Sequence, residues 1–447
     1  VVSPLNVNLL EAHIASTRLS HFRAGVFISC FSRNLPHVEF PSLRILPNFK
    51  KEETKTCCHL SVCTEVGKPI PFGTLLVPKV RDVASRFSST NRPKMKTSPD
   101  PIAGLSCPIP LSEYPNVLLA HGGGGKLTQQ LIEKMFVSGY GNEYLNKLHD
   151  GATFSMNGVT LAFSTDSFVV KPIFFPGGDI GELAINGTVN DLAMCGATPL
   201  FLSTALILEE GFPMDQLWRV IQSMRRAADR AGVVLCTGDT KVVEKGKGDQ
   251  IFINTSGIGL IEMNRSVTPQ RAEVGDKIIV SGNIGVHGIA IMSVREGLEF
   301  ETEMRSDTAP LHELVKTMFG ASENIHVLRD PTRGGVASAL NEIAKAAGVG
   351  ITLVEEAIPV TDEVQGACEI LGLDALYVAN EGKLIALVPE SEHEAVLAAM
   401  REHPLGREAV VIGEVIRDHP GAVVMKTRVG GTRVVDMLSG EQLPRIC

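Results

Sequence analysis

From Asn116 onward, short runs rich in β-branched and aliphatic residues alternate with longer segments whose apolar residues recur at helical spacing. That alternation restricts the chain to a mixed α/β or α+β architecture. Val117 to Leu119, Val159 to Ser164, Phe201 to Leu208, Val233 to Cys236 and Ile251 to Ile261 read as strands. Leu127 to Phe136, Gly181 to Cys195 and Met214 to Ala231 read as the helices between them. The polar, turn-rich stretch Arg265 to Asp276 interrupts the pattern, after which it restarts. Strands are predicted at Lys277 to Ser281, Leu384 to Val388 and Val410 to Ile416, and helices at Gly288 to Glu296, Leu311 to Phe319, Val336 to Ala347 and Ser391 to Glu402. Single cores stop growing above roughly 250 residues, so 447 residues that are 44% hydrophobic divide into two cored domains. They are expected at residues 106–266 and 267–436, with a mobile tail over 437–447.

Residues 1–105 stand apart from this pattern. The first 100 residues carry 14 Lys+Arg against 7 Asp+Glu, whereas the rest carries 28 against 43. The head mixes Ser, Pro, Arg and Lys without a sustained period, which predicts a mostly disordered extension. Met95 is the expected start of the protein proper, and the head then reads as translated upstream sequence. A transit peptide is the minor alternative, weakened by Glu11, Glu39, Glu52, Glu53 and Glu65. An acidic body gives no reason to expect nucleic acid as a partner. The nine scattered cysteines form no disulfide framework and fit a reducing cytoplasm. The longest apolar stretches, such as Ala193 to Leu208, are broken by Gly196 and Pro199, so no membrane span is expected.

Six segments are candidates for chemistry. His121-Gly-Gly-Gly-Gly-Lys126 precedes a helix, where the backbone N–H groups of Gly123 and Gly124 and the charge of Lys126 can surround phosphate oxygens. It is no P-loop, because Leu127 follows the lysine. A glycine run is as often a mobile connector. Asp166, Asp191 and Asp239 lie at strand ends or on loops and offer the hard oxygen ligands that suit Mg²⁺. Singly, each is more often a cap or turn residue; together with Lys241, two positions after Asp239, they favour a metal–nucleotide site. Gly282-Asn-Ile-Gly-Val-His-Gly288 lacks the spacing of a dinucleotide fingerprint and reads as a tight strand-to-helix turn, with His287 a structural loop residue rather than a catalyst. In Arg329-Asp-Pro-Thr-Arg-Gly-Gly335, Thr332 can cap the following helix and Gly334 and Gly335 let the backbone come close to a ligand, with Asp330, Thr332 and Gly334 the candidate cofactor-binding residues. Ala379-Asn-Glu-Gly-Lys383 can aim Glu381 into a cleft as a base. The tail ends on Cys447, an unpaired thiol that should be exposed and oxidation-prone unless something uses it. It is either incidental or a covalent carrier on a swinging arm.

Taken in order, these segments together with Ser164-Thr-Asp-Ser167, Phe174-Phe-Pro-Gly-Gly178, Val189-Asn-Asp191, Ile207-Leu-Glu-Glu-Gly211, Thr237-Gly-Asp-Thr-Lys-Val-Val243 and terminal Pro444-Arg-Ile-Cys447 resemble the HypE family of hydrogenase maturation factors, within the PurM-like ATP-binding superfamily. The resemblance spans about Ser106 to Cys447. It implies two α/β domains, the first pairing across a homodimer to form a β-barrel, with ATP in the cleft between the halves. It further implies that HypF carbamoylates the terminal cysteine and that ATP drives dehydration of the product to a thiocyanate. The nitrile then passes to iron on a HypC–HypD complex, as the cyanide ligand of [NiFe] hydrogenase. On that implication Asp166, Asp191 and Asp239 handle Mg²⁺ and phosphate, Lys241 stabilises phosphoryl charge, Cys447 is the carrier and Glu381 the general base. Selenophosphate synthetase, thiamine-phosphate kinase and the purine-pathway synthetases are the alternatives of the same fold, and a non-catalytic scaffold the alternative of another class. Selenophosphate synthetase would want a reactive cysteine near the glycine loop, where this chain has His121, and neither of the other two enzymes explains Cys447.

Overall fold

The computed structural model describes residues 115–262, 265–297, 304–440, 443 and 445–447. The expectations for residues 1–105, including a start at Met95, lie outside the described residues. The described region enters through helix α1 (Lys126–Leu131), which runs on into a π-helical turn, Ile132–Val137. Val117 to Leu119, predicted as a strand, instead leads into a 3-10 turn at Leu119–Gly122. Those three residues pair with no other strand among the described residues, and Val117 is 80% exposed.

The first sheet has five strands in the order β1 (Ala152–Met156), β2 (Val159–Phe168), β7 (Ile251–Ile261), β5 (Ala197–Glu209) and β6 (Val234–Val243). All pair antiparallel except β5 with β6. A two-residue hairpin, β3 (Phe174–Phe175) with β4 (Gly178–Asp179), precedes α2 (Ile180–Met194). Strand β7 shows why the sheet is one-sided: Ile251, Ile253, Thr255, Gly257, Gly259 and Ile261 are buried, and the residues between them are more exposed. Period-two alternation puts one set on α2 and the other on the opposite face. That outer face exposes Phe163, Phe201, Ile207 and Ile258.

Helix α2 is buried all round, from Ile180 to Met194 except Glu182 and Asp191. Asp179 caps it by accepting from the N–H groups of Gly181 (2.8 Å) and Glu182 (3.1 Å). Helix α3 (Met214–Ala231) covers α2 with a stripe of Val220, Met224, Ala227, Ala228 and Ala231, and stops at Gly232 in the left-handed conformation.

The second sheet has seven strands: β14 (Thr432–Val434), β13 (Val423–Lys426), β10 (Gly350–Val354), β12 (Val410–Ile416), β8 (Lys277–Val280), β11 (Ile385–Val388) and β9 (Val327–Arg329). Five helices flank it: α4 (Val286–Glu296), α5 (His312–Ala321), α6 (Gly335–Ala347), α7 (Asp362–Leu371) and α8 (His393–Glu402). Strands β8 and β11 are apolar apart from Lys277 at the start of β8, because both faces are covered. Ile278 and Val280 pack with Val336, Leu340 and Ile343 of α6, whereas Ile279 packs with Leu314 and Met318 of α5 and Val396 and Met400 of α8.

Both sheets belong to one contact unit, Thr97–Cys447. Helix α2 joins them, since its last turn (Ala193, Met194) enters the α5–α8 core. Asn190, 1% exposed, donates to the carbonyls of Ala309 (3.1 Å) and Glu381 (3.3 Å) and accepts from Leu311 N–H (2.8 Å).

Candidate active site

The site forms where β2 and α2 of the first half meet the β9–α6 loop of the second. Gly187 permits the approach of α2 to β2, because a Cβ there would lie 2.8 Å from the Phe168 ring. One helical turn later, Asp191 reaches Ser164, whose hydroxyl donates to Asp191 Oδ2 at 2.6 Å and lies 2.8 Å from the Asp150 carbonyl oxygen. Arg329, at the end of β9, pairs with Asp150 at 2.9 Å and with Glu342. The next residue, Asp330, completes a cluster: carboxylate oxygens of Asp150, Asp191 and Asp330 all lie within 4.8 Å of one another.

Burial and mutual repulsion govern these carboxyls. Burial raises Asp150 to about 6, against the pull of Arg329 and with a push from Asp166. Burial, then the charge of Asp150, raises Asp330 to about 8. Asp191 stands well above its ordinary value, through burial and then repulsion by Asp330 and Asp166. Burial also raises Asp166, whose carboxylate lies 3.8 Å from Arg333.

Three carboxylates, one of which, Asp150, also has a buried oxygen (Oδ2) with no hydrogen-bond partner, fit a divalent cation such as Mg²⁺. The sign of the pH dependence follows. Carboxyls raised above an ordinary value near 3.8 stabilise the fold fully below that value, and the contribution is lost as pH rises through about 6 and about 8. A cation that takes the ionised forms reverses that loss. The gain in Tm on adding Mg²⁺ is therefore expected to be larger at about pH 8 than at about pH 6; equal gains would remove the cluster as the cation site.

A cleft of about 710 Å³ opens beside the cluster, lined in part by Asp150, Ser164, Arg329, Gly125, Phe163 and Tyr144. The glycine loop borders it but is already engaged. Gly124 N–H donates to Thr128 Oγ1 (3.0 Å), Lys126 N–H to the Leu438 carbonyl (2.9 Å), and Lys126 Nζ pairs with Asp436. Glycine is required at two of its positions by close approach: a Cβ on Gly124 would sit 2.4 Å from the Arg333 carbonyl oxygen, and one on Gly125 2.3 Å from that of Leu438. Thr332 does not cap α6. The N-cap is Gly334 at φ +80°, and Thr332 contributes its carbonyl to Gly335 N–H.

Cys447 departs most from its sequence expectation, since it is 9% exposed rather than out in solvent. The tail docks inward because its backbone finds partners: Val169 N–H donates to the Cys447 carbonyl (3.0 Å) and Lys171 N–H to that of Arg445 (3.1 Å). Ile446 packs beside Ile291 and Ala379 in the core of the first half. The thiol meets Glu381, 3% exposed, which hydrogen-bonds it and has a second carboxyl oxygen without a partner. Burial holds the thiol far above its ordinary value; Arg333 opposes that shift and Glu381 adds to it. Glu381 is itself raised well above the carboxylate range by burial and then by Asp330 and Asp166.

Asp239 and Lys241 do not join this group within the chain. They pair with each other at 2.6 Å, both exposed. Asp239 stands opposite Ala205, which stands opposite Asn254, which stands opposite Ser167. That row faces outward, one residue out of phase with Asp166 and Thr255, so Asp239 and Asp166 project from opposite faces of the sheet.

Comparison with known proteins decides the family. AIR synthase related protein families match in both halves, the N-terminal domain at residues 148–261 and the C-terminal domain at 273–426. The carbamoyl dehydratase HypE of Cupriavidus necator is 55% identical over 330 residues, 74% of this chain and 94% of that protein. The chain belongs to the HypE family. Two solved structures agree: HypE in a HypE–HypF complex (49% identity, TM-score 0.66, 69% of this chain and 99% of that one) and HypE in complex with ATP (49%, 0.63, 74% and 100%). The mixed α/β, PurM-like fold expected from the resemblance is the one observed. Among the described residues no helix is long and apolar enough to cross a membrane. Within this HypE-family site, sequence reasoning missed Asp150 and gave no role to Arg329 or Arg333. Only the turn-like His149-Asp150-Gly151 marked the first.

Proposed function

We propose that this chain is an ATP-dependent carbamoyl dehydratase whose substrate is an S-carbamoyl group on its own Cys447. The observation that carries the reading is the terminal thiol seated against Glu381, next to a carboxylate cluster and a nucleotide-sized cleft. The names of its relatives, and the ATP and HypF complexes among their structures, support it. HypF supplies the carbamoyl group in the cytoplasm, and the HypC–HypD complex accepts the nitrile as a cyanide ligand for the iron of [NiFe] hydrogenase.

The chemistry follows from a poor leaving group. The thiocarbamate oxygen attacks the γ-phosphorus of ATP, one N–H proton departs, and ADP leaves an O-phosphorylated imidate. Loss of the second N–H proton, with cleavage of the C–O bond, releases phosphate and leaves S–C≡N. Glu381, beside the sulfur, takes protons from nitrogen. Arg333 lies near both Cys447 and Asp166 and offsets the negative charge that develops there. Asp150, Asp191 and Asp330, with Asp166 beside them, would hold Mg²⁺, which supplies charge neutralisation for phosphoryl transfer. Gly123, Gly124, Lys126, Asp330, Thr332 and Gly334 would border the nucleotide.

The outer face of the first sheet combines exposed Phe201, Ile207 and Ile258 with Asp239 and Lys241. Pairing of two copies through that face, as a homodimeric β-barrel, buries the apolar set. The roles assigned to Asp239 in metal and phosphate handling and to Lys241 in phosphoryl stabilisation require that second copy. Ile258→Glu is expected to shift the sedimenting species from dimer to monomer, and an unchanged dimer removes this face as the interface.

The deciding experiment is the intact mass of the C-terminal peptide after incubation with HypF, carbamoyl phosphate and ATP. A carbamoyl adduct that loses one water only when ATP is present is the expected result. ATP consumption with unmodified Cys447, beside an active HypF, would transfer the chain to another ATP-dependent activity of this fold.

A further inference from the structure

We infer that His287 is a positioning residue that latches the C-terminal tail into the site through the carbonyl of Ile446. His287 lies in the first turn of α4, just after Gly285 (φ +81°), and is fully buried. Its Nε2 lies 2.8 Å from the Ile446 oxygen, one residue before Cys447, and its Nδ1 lies 2.8 Å from Ser306 Oγ. The roles on the ring follow from the partners. A carbonyl can only accept, so Nε2 carries the hydrogen. Ser306 Oγ accepts from Thr308 N–H (3.2 Å) and donates to Nδ1.

The ring is therefore held on both sides, and the Phe175 edge-to-face contact at 5.7 Å fixes its plane. Burial lowers the pKa of His287, which agrees with a neutral ring that donates once and accepts once. Gly288, the next residue, brings α4 close to the tail: a Cβ there would lie 2.4 Å from Val378 Cγ1 and 3.3 Å from Leu443 Cδ1. Arg295, two turns along the same helix, reaches the carbonyls of Lys171 and Arg445, and Arg445 pairs with Asp249. The outer end of the latch is thus a half-buried ion pair between Arg445 and Asp249. Its buried end is His287, where an unmade hydrogen bond leaves a carbonyl without water or protein.

The consequence for turnover rests on the proposed dehydratase reading; the docking itself does not, and a separate measurement reads it. The rate of iodoacetamide alkylation at Cys447, followed peptide by peptide, reports how often the tail opens. Buried Cys195 and Cys368 report global opening in the same sample. His287→Leu is expected to raise the Cys447 rate roughly tenfold with the rates of Cys195 and Cys368 unchanged. His287→Gln, which keeps an N–H donor, returns it toward the native rate. In a single turnover of carbamoylated protein, His287→Leu slows water loss while ATP affinity is unchanged. Should His287→Leu not fold, Ser306→Ala frees the ring without emptying the site and is expected to give a several-fold rise at Cys447. A Cys447 rate that stays at the native value, or rises only in step with Cys195 and Cys368, overturns the latch. Failure of water loss in the native protein while alkylation behaves as stated overturns the dehydratase reading and leaves the latch standing.

Discussion

Glu381→Gln is expected to bind ATP as the native protein does and to lose water from a carbamoylated tail 10²–10⁴-fold more slowly, about the range of a general base. The substitution preserves volume and the main-chain contacts of residue 381, where N–H donates to Asp307 and the carbonyl accepts from Asn190. What it removes is the ability to accept a proton beside the sulfur. Because burial and the charges of Asp330 and Asp166 raise the Glu381 pKa, the native rate should climb as pH rises and the carboxyl ionises. That limb should be absent from the variant. A single-turnover rate within tenfold of native would take Glu381 out of the proton path.

The largest loss of stability is expected from Asn190→Leu. The leucine is of similar volume, yet it strands three main-chain groups at once: the part-buried carbonyl of Ala309, the buried carbonyl of Glu381 and the buried N–H of Leu311. At 1–3 kcal/mol for each unsatisfied group, tempered by relaxation, roughly 3–5 kcal/mol should be missing in urea unfolding. A loss below about 1 kcal/mol would mean that water or a shifted backbone satisfies these groups. Since Asn190 spans both halves, the variant should also lose the single, shared transition and unfold in two steps.

Local pattern made most of the framework legible. Met214 to Ala231, Ile251 to Ile261 and Val410 to Ile416 form the predicted elements with the predicted ends, because each carries a long, unambiguous period. Strands β1, β3, β4, β9, β10, β13 and β14 and helix α7 were not foreseen. Strand β1 is five residues, only partly buried or exposed, and helix α7 carries Gly366 and three buried side chains in ten residues, too few to show a stripe. The site was legible by residue type and not by partnership. Asp191, Asp330 and Glu381 drew notice as carboxylates beside loops, but that Asp150 belongs with Asp191 depends on Gly187 admitting Phe168, a contact no spacing encodes. Cys447 looked exposed because an unpatterned tail has no period of its own. The register that buries it is supplied by Val169, Lys171 and His287, more than 150 positions away in the chain.

The docked tail also changes what kind of rate law the chain obeys. A thiol tethered nine residues from Leu438 meets Glu381 at an effective concentration set by the tether and its backbone anchors, not by how much protein is in solution. On the proposed dehydratase reading, water loss from a loaded tail is first order, diluting the protein leaves its half-time unchanged, and no Michaelis constant exists for the carbamoyl group. Saturation belongs to ATP alone. On the same reading a round ends only when the nitrile is handed on, so throughput is counted in loading and unloading events per chain.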